Sequence, residues 1–507
     1  MSKQGILSEQ EEKFQHLRQR LGFILAPLIL SLLWGIPIVG LNFKAHTLLA
    51  ILGFVVTLWI TEAIPMPVTA LLGPTLCIVA GIEGAKNVFK NFADPIIFLF
   101  MGSFFLAQAM FRHRLDQRIA FQILGLQGVG ESPTRILLTF GLITALLSMW
   151  ISNTTATAIM FPIGVSILSE MARRQTQFMG YEVKFTELKY GTGLMLMAAF
   201  AASIGGLATP VGTPPNLIGI GMLQKYLNIQ IPFFQWMAFG GPLAFTLIVF
   251  LVFYLNRACP ADPGLKEGNT QWIQAEKAKL GPLTRAEKNV LLAFFVTVIL
   301  WLLPGIVAIF TGPDAPFYRW LNERLPEAVA ALIGASLLFV LPINPKHREF
   351  TLTWRDAEQI DWGTILLFGG GLALGELMFS TGLAKWIGEG LAGAVQVHSA
   401  LSLTVLFTLI AVLVSETTSN TASASMIIPI AIAIAQAAGV NPLQPALGAC
   451  LGASMGFMMP VSTPPNAIVY GSGCVPLTKM ITYGLLLDMV GSIVIIIIVM
   501  GLVPLIL

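Results

Sequence analysis

Three runs in this chain, 291–310, 328–341 and 490–507, contain no Asp, Glu, Lys or Arg. A helix of about 20 apolar residues spans the hydrocarbon core of a bilayer, so these runs have spanning or near-spanning length. A soluble protein would have to bury each of them in a separate core. Only 11% of the 507 residues are charged, whereas a soluble chain carries roughly 25%. A transmembrane barrel would show short alternating segments instead. The expected class is an all-α polytopic membrane protein. The net charge of +3 sums over loops on two sides and excludes little. Cys77, Cys259, Cys450 and Cys474 have no metal-ligand spacing and are expected to be buried residues. The lead LSEQEEKFQHLRQR is too polar for the apolar core of a signal peptide, so residues 1–20 are expected to be a cytoplasmic segment.

Inside these apolar surroundings one polar pattern occurs twice. Ser152-Asn153-Thr154 opens SNTTATAIMFPI, and Ser419-Asn420-Thr421 opens SNTASASMIIPI. Each is followed by a Gly-rich stretch ending in Thr213-Pro214-Pro215-Asn216 or Thr463-Pro464-Pro465-Asn466. Tandem prolines lack the N–H that a helix needs and break it. The stretches around the two SNT motifs, about 136–168 and 401–438, are expected to be hairpins that enter the membrane and return. Spans are expected at 21–40, 45–60, 64–80, 93–111, 232–255, 289–310, 325–342 and 482–505, with interrupted spans from about 191 and at 443–470. The basic stretch FRHRLDQRIAFQILGLQ is expected to lie in the interface, and 169–190 and 256–288 to be polar linkers. LFGGGLALGELMFSTGLAKWIG resembles LFMGSFFLAQAMFRHRLDQRIA, which pairs Phe100 with Phe368, Gly102 with Gly370, Met110 with Met378 and Leu115 with Leu383. Internal repeats with discontinuous helices at matching positions point to a secondary transporter.

With a cytoplasmic N-terminus and non-crossing hairpins, this gives about 11 transmembrane helices, two re-entrant hairpins and an external C-terminus. Of the 29 Lys and Arg residues, 22 then fall inside and 7 outside, a positive-inside bias. The same count brings the hairpins in from opposite faces and inverts one repeat relative to the other. The domains follow as an N-terminal segment 1–20, scaffold helices 21–111, a first transport region 112–230, scaffold helices and linker 231–342, a second-repeat scaffold span 343–380, and a second transport region 381–507.

Hydroxyl and amide oxygens with freed carbonyls suit a hard cation such as sodium, and helix N-termini suit a carboxylate. Asparagine serves both, because its amide carries an acceptor and a donor. The symmetry points to two cation sites flanking one anion, with Asn153 and Asn420 at the shared centre. No Lys or Arg falls at either tip, so bound cations would have to help neutralise the anion. Glu62, Glu376, Glu416 and Asp488 are the main intramembrane charges; Glu416, in VSETTSNT, is expected to be structural or proton-coupling. His113 and His347 read as loop residues. No GxxxxGK[ST] loop or nucleophilic triad pattern is present, which argues against an ATP-driven pump and against an enzyme. A channel would need a continuous pore in place of alternating access. Nothing in the chain points to a nucleic-acid partner.

Paired SNT motifs, each followed by a Pro-Pro-Asn helix break, resemble the divalent anion/sodium symporter family, which includes the INDY-type sodium-dependent dicarboxylate and citrate carriers. The resemblance covers about 21–505. It implies a homodimer in the plasma membrane, surrounded by lipid, whose transport domains move as elevators against a scaffold. It implies sodium (Na+) as coupling ion and a small dianionic or trianionic substrate. Carried over by motif, the first sodium site would use Ser148, Ser152 and Asn153 with the backbone at Gly212. The second would use Ser415, Thr418 and Asn420 with the backbone at Ser462. The dicarboxylate would contact Asn153, Thr154, Thr213, Asn420, Thr421 and Pro464. Ser415 and Ser462 depart from the Thr or Ala common in the family. Sodium-coupled uptake of succinate, malate or fumarate is the expected activity; sodium-independent exchange of dicarboxylates or 2-oxoglutarate, and carriage of citrate or sulfate, are the alternatives.

Overall fold

The computed structural model describes residues 9–262, 270–312, 314–395 and 399–507. Residues 1–8 of the expected N-terminal segment, and Lys3 and Lys266 of the charge count, lie outside these ranges. Ten helices among the described residues are long and apolar enough to cross a membrane, and Met66–Val79, Pro133–Ser148 and Glu327–Val340 are shorter apolar helices. The only strands among the described residues are Pro342–Asn344 and Glu349–Phe350, which form a small antiparallel hairpin in the basic loop. The polytopic all-helical class therefore holds.

Several helix ends depart from expectation, each for a local reason. The first helix runs over Glu9–Gly35 and so takes in much of the charged lead. Its straight-chain Gln, Lys and Arg residues are good helix formers, and Arg18 reaches Glu62 at 3.1 Å, beyond the end of Phe43–Thr61. Asn153–Met179 continues past 168 because Glu170 pairs with Arg173 at 2.8 Å and Arg174 at 3.2 Å, supporting one more stretch of helix. Gly180, at φ 76°, ends it.

The basic stretch expected in the interface is instead partly built into the protein. It contains the helix Leu115–Leu124, whose Arg118 is buried. The guanidinium bonds Glu287, the Gly281 carbonyl at 2.9 Å and the Leu280 carbonyl at 2.7 Å. Glu287 also closes a capping box with Thr284 at the start of Arg285–Thr311. One planar fork thus fixes where that helix begins. Arg118→Lys keeps the charge but not the fork, so it is expected to cost about 1–2 kcal/mol. Thermal unfolding in detergent checks this, and an unchanged melting temperature would refute it.

The centre of the molecule is Lys189–Gly206, which is buried on nearly every side from Tyr190 onward. A helix that is apolar all round is a core helix. Its neighbours are Pro133–Ser148, Asn153–Met179, Phe233–Ala258 and the short helix Pro464–Tyr470. At the periphery, Arg285–Thr311 exposes Leu292, Phe295, Ile299 and Ile309, and Leu477–Ile497 exposes Leu485, Met489, Ile493 and Ile497. Such continuous apolar faces suit lipid. Phe100 and Phe368, matched between the repeats, touch with ring centroids 5.5 Å apart, as positions near an axis relating the halves would.

Candidate functional site

Each SNT motif sits where one helix ends and the next begins. Pro133–Ser148 leads to Asn153–Met179, and Ala400–Thr417 leads to Asn420–Ala437. Ser152 and Ser419 are extended N-caps whose hydroxyls accept from Thr155 N and Ala422 N, both at 3.2 Å. Serine is a preferred cap because its oxygen satisfies an orphan N–H of the first turn. Ser423 Oγ donates back to the Ala411 carbonyl at 3.0 Å, so the second helix of that pair returns along the first.

The caps leave specific groups open. In the first pair, Thr155 N and Ala156 N are used by Ser152; in the second, Ala422 N and Ser423 N are used by Ser419. The backbone N–H groups of Asn153, Thr154, Asn420 and Thr421 have no acceptor among the described residues. Two unsatisfied N–H groups at each of two helix N-termini form a pair of anion-binding ends. Asn153 and Asn420 are half-buried, and their Nδ2 groups are likewise unused among the described residues.

Oxygens gather on the other side of each asparagine. Ser148 Oγ donates to Asn153 Oδ1 at 2.7 Å, and Ser415 Oγ donates to Asn420 Oδ1 at 2.8 Å. A methyl group added to Gly206 would fall 2.5 Å from Asn153 Oδ1 and 3.1 Å from the Gly212 carbonyl oxygen. One added to Gly456 would fall 3.2 Å from Ser415 Oγ and 3.4 Å from Asn420 Oδ1. Glycine is thus what lets each broken segment come up to its SNT turn. Gly205 and Gly452 serve close packing too, against the Ala145 backbone and the Thr408 carbonyl.

The structure brings Ser148, Asn153 and Gly212 together around Gly206, and Ser415 and Asn420 together at Gly456. Ser152 instead spends its hydroxyl on its own cap. Thr418 Oγ1 donates to the Val414 carbonyl at 2.9 Å. The Ser462 side chain turns to Glu416, leaving its backbone as the group it could offer. Thr213 and Thr463 are buried N-caps of Pro214–Leu227 and Pro464–Tyr470, while Pro464 itself is exposed.

The two repeats interlock around this region. Pro214–Leu227 packs against Asn420–Ala437 of the other repeat, and Pro464–Tyr470 packs against Asn153–Met179. Cys450 Sγ lies 3.1 Å from the Pro215 carbonyl, and the Phe200 and Phe457 rings meet edge-on at 5.0 Å. All four cysteines are buried and unpaired.

Sequence reasoning gave no task to Asn216 and Asn466, yet both are wholly buried and bond backbone carbonyls. It also left Glu416 open between two roles. That carboxylate accepts from Phe457 N at 2.6 Å, Met458 N at 2.9 Å, Met459 N at 3.2 Å and Ser462 Oγ at 2.6 Å, a structural task. Of the other intramembrane charges, Glu62 meets Arg18, and Glu376 meets Lys90 at 2.9 Å and Lys225 at 2.7 Å. Buried Asp488, on Leu477–Ile497, lies against the Glu416 side chain and the Phe457 backbone.

The model of the sodium:sulfate symporter transmembrane region matches residues 17–506. The chain is 35% identical over 502 residues to the sodium-dependent dicarboxylate transporter SdcS of Staphylococcus saprophyticus, covering 98% of this chain and 94% of that one. It is 36% identical over 496 residues to SdcS of Staphylococcus aureus strain MSSA476, covering 96% and 92%. Among solved structures it is similar to the YdaH transporter of Alcanivorax borkumensis, with a TM-score of 0.55 and 15% identity over 96% of this chain and 97% of that one, a likeness of fold. A match over nearly the whole length places this chain in the sodium:sulfate symporter family of multi-pass membrane proteins.

Proposed function

We propose that this protein couples sodium entry to uptake of C4-dicarboxylates such as succinate, malate and fumarate. The observation that carries the reading is the pair of open helix N-termini, each backed by its own oxygen cluster. A dicarboxylate has two charged ends, and two such termini offer one to each. Asn153 would share its Oδ1 with the first sodium and its Nδ2 with the substrate; Asn420 would do the same at the second. Ser148, Ser152 and the Gly212 backbone complete the first cation set, and Ser415, Thr418 and the Ser462 backbone the second. Thr154, Thr213, Thr421 and Pro464 complete the substrate set. The names of the staphylococcal relatives support the same ion and substrate class.

The transport step in this reading is an elevator movement in a homodimer of the plasma membrane. Regions 112–230 and 381–507 move against scaffold regions 21–111, 231–342 and 343–380. About eleven crossings and two re-entrant hairpins would put the termini on opposite faces, and the Lys and Arg bias favours a cytoplasmic N-terminus and an external C-terminus. Alternating access of inverted repeats around a midplane site is the behaviour such architectures support.

Uptake of labelled succinate into proteoliposomes, with and without an inward sodium gradient, tests the coupling. Uptake is expected to fall to background when choline replaces sodium. Undiminished uptake without sodium, but with internal dicarboxylate, would overturn symport in favour of exchange. Competition by citrate, 2-oxoglutarate and sulfate in the same assay reads the substrate class.

A further inference from the structure

We infer that Asn216 and Asn466 are positioning residues that decide which backbone carbonyl each broken segment presents to a cation. The inference rests on the proposed sodium sites and adds a residue to each. Asn216 Nδ2 donates to the carbonyls of Gly206 at 2.9 Å and Thr209 at 2.8 Å. Asn466 Nδ2 donates to those of Gly456 and Met459, both at 3.0 Å. In both copies the accepting residues lie ten and seven positions before the asparagine. Both side chains are wholly buried. Their orientation is fixed by chemistry, because a flipped amide would aim its oxygen at two other oxygens.

The same spacing continued by three residues reaches Gly212 and Ser462. No donor reaches either of these carbonyls among the described residues. The motif itself explains why. In a turn or helix, the donors would come from three and four residues onward. Three onward stand Pro215 and Pro465, which have no N–H. Four onward stand the asparagines, whose N–H groups go elsewhere: Asn216 N to the Thr213 carbonyl at 3.2 Å, and Asn466 N to Thr463 Oγ1 at 3.3 Å.

The Thr-Pro-Pro-Asn motif thus does two things in one turn. Its prolines keep one carbonyl free, and its asparagine occupies the two carbonyls before it. Without the amide, the carbonyl of Gly206 or Gly456 would stand bare beside that of Gly212 or Ser462, while Thr209 and Met459 would keep only the Gly212 N–H at 3.4 Å and the Ser462 N–H at 3.2 Å; each uncompensated carbonyl is costly in a low-dielectric interior. The segment would then be free to turn a different oxygen toward the cation. The alternative oxygen is close at hand, since a methyl group on Gly212 would fall 2.6 Å from the Gly206 oxygen. Partners that orient a ligand matter nearly as much as the ligand in metal sites.

The test is a sodium titration of succinate uptake by Asn216→Ala and Asn466→Ala in proteoliposomes, beside the wild type. Loss of a ligand-orienting partner should raise the half-saturating sodium concentration about 10-fold or more in each single variant. The substrate KM at saturating sodium should change far less, a split that a general loss of stability would not produce. Asn216→Ser and Asn466→Ser retain one donor and guard against misfolding of the alanine variants. Their sodium midpoints, also readable as sodium-dependent thermal shifts in detergent, should lie between wild type and alanine. A sodium-coupled wild type with unchanged sodium midpoints in the folded variants would overturn the inference alone. A wild type indifferent to sodium would overturn the proposed function, and this inference with it.

Discussion

Asn153→Ala and Asn420→Ala are each expected to reduce sodium-coupled dicarboxylate uptake by about 100-fold or more, equivalent to about 2.7 kcal/mol. In the proposed sites each asparagine would give a cation its oxygen and an anion its amide donor from one planar group, so alanine would remove both contacts together. The cost to the fold should be small. Each side chain is half-buried, and the internal bond it loses is the one from Ser148 or Ser415. A single such bond contributes about 1 kcal/mol net. Ser415 keeps its other acceptor, the Ala453 carbonyl at 2.7 Å, so Asn420→Ala should be the milder of the two for stability. Uptake in proteoliposomes, with size-exclusion profile and melting temperature as controls, separates the two effects. Wild-type uptake by either variant would remove that asparagine from the site.

How much of this was legible beforehand differs between levels. The apolar runs gave the class because bilayer thickness fixes helix length, and the family match bears that out. The ends were less legible, because Arg18 with Glu62 and Arg118 with Glu287 are contacts between segments far apart in sequence. No local pattern marks Arg118 as buried; its stretch looks like a basic interfacial helix until the Leu280 and Gly281 carbonyls are seen against it. The SNT repeat was legible because a cap, a turn and an asparagine lie side by side. The Asn216 and Asn466 brackets were not, since their acceptors lie ten and seven residues back across an unwound segment.

Glu416→Ala is expected to destabilise the protein by more than about 3 kcal/mol, because each buried donor stranded without an acceptor costs about 1–3 kcal/mol. The two repeats solve one problem differently here. Ser148 and Ser415 are matched, so Met149 and Glu416 are too. In the first repeat the Thr209 hydroxyl ties the broken segment to the Met149 carbonyl. In the second, the Ser462 hydroxyl is shared between the Glu416 carbonyl at 2.9 Å and the Glu416 carboxylate at 2.6 Å, and the carboxylate also accepts three backbone N–H groups from 457–459. Alanine at 416 would strand the buried Phe457 N–H and take the acceptor from the less buried N–H groups of Met458 and Met459, as well as from the buried Ser462 hydroxyl. Met149→Ala removes a side chain that holds no part of the tie, so it should cost much less. Glu416→Gln should fall between: its carbonyl oxygen can still accept from Phe457 and Met458, but its amide nitrogen would face the N–H of Met459. The order of melting temperatures in detergent, wild type and Met149→Ala above Glu416→Gln above Glu416→Ala, is the measurement. If Glu416→Ala melts within a few degrees of the wild type, the carboxylate does not hold the second break in place.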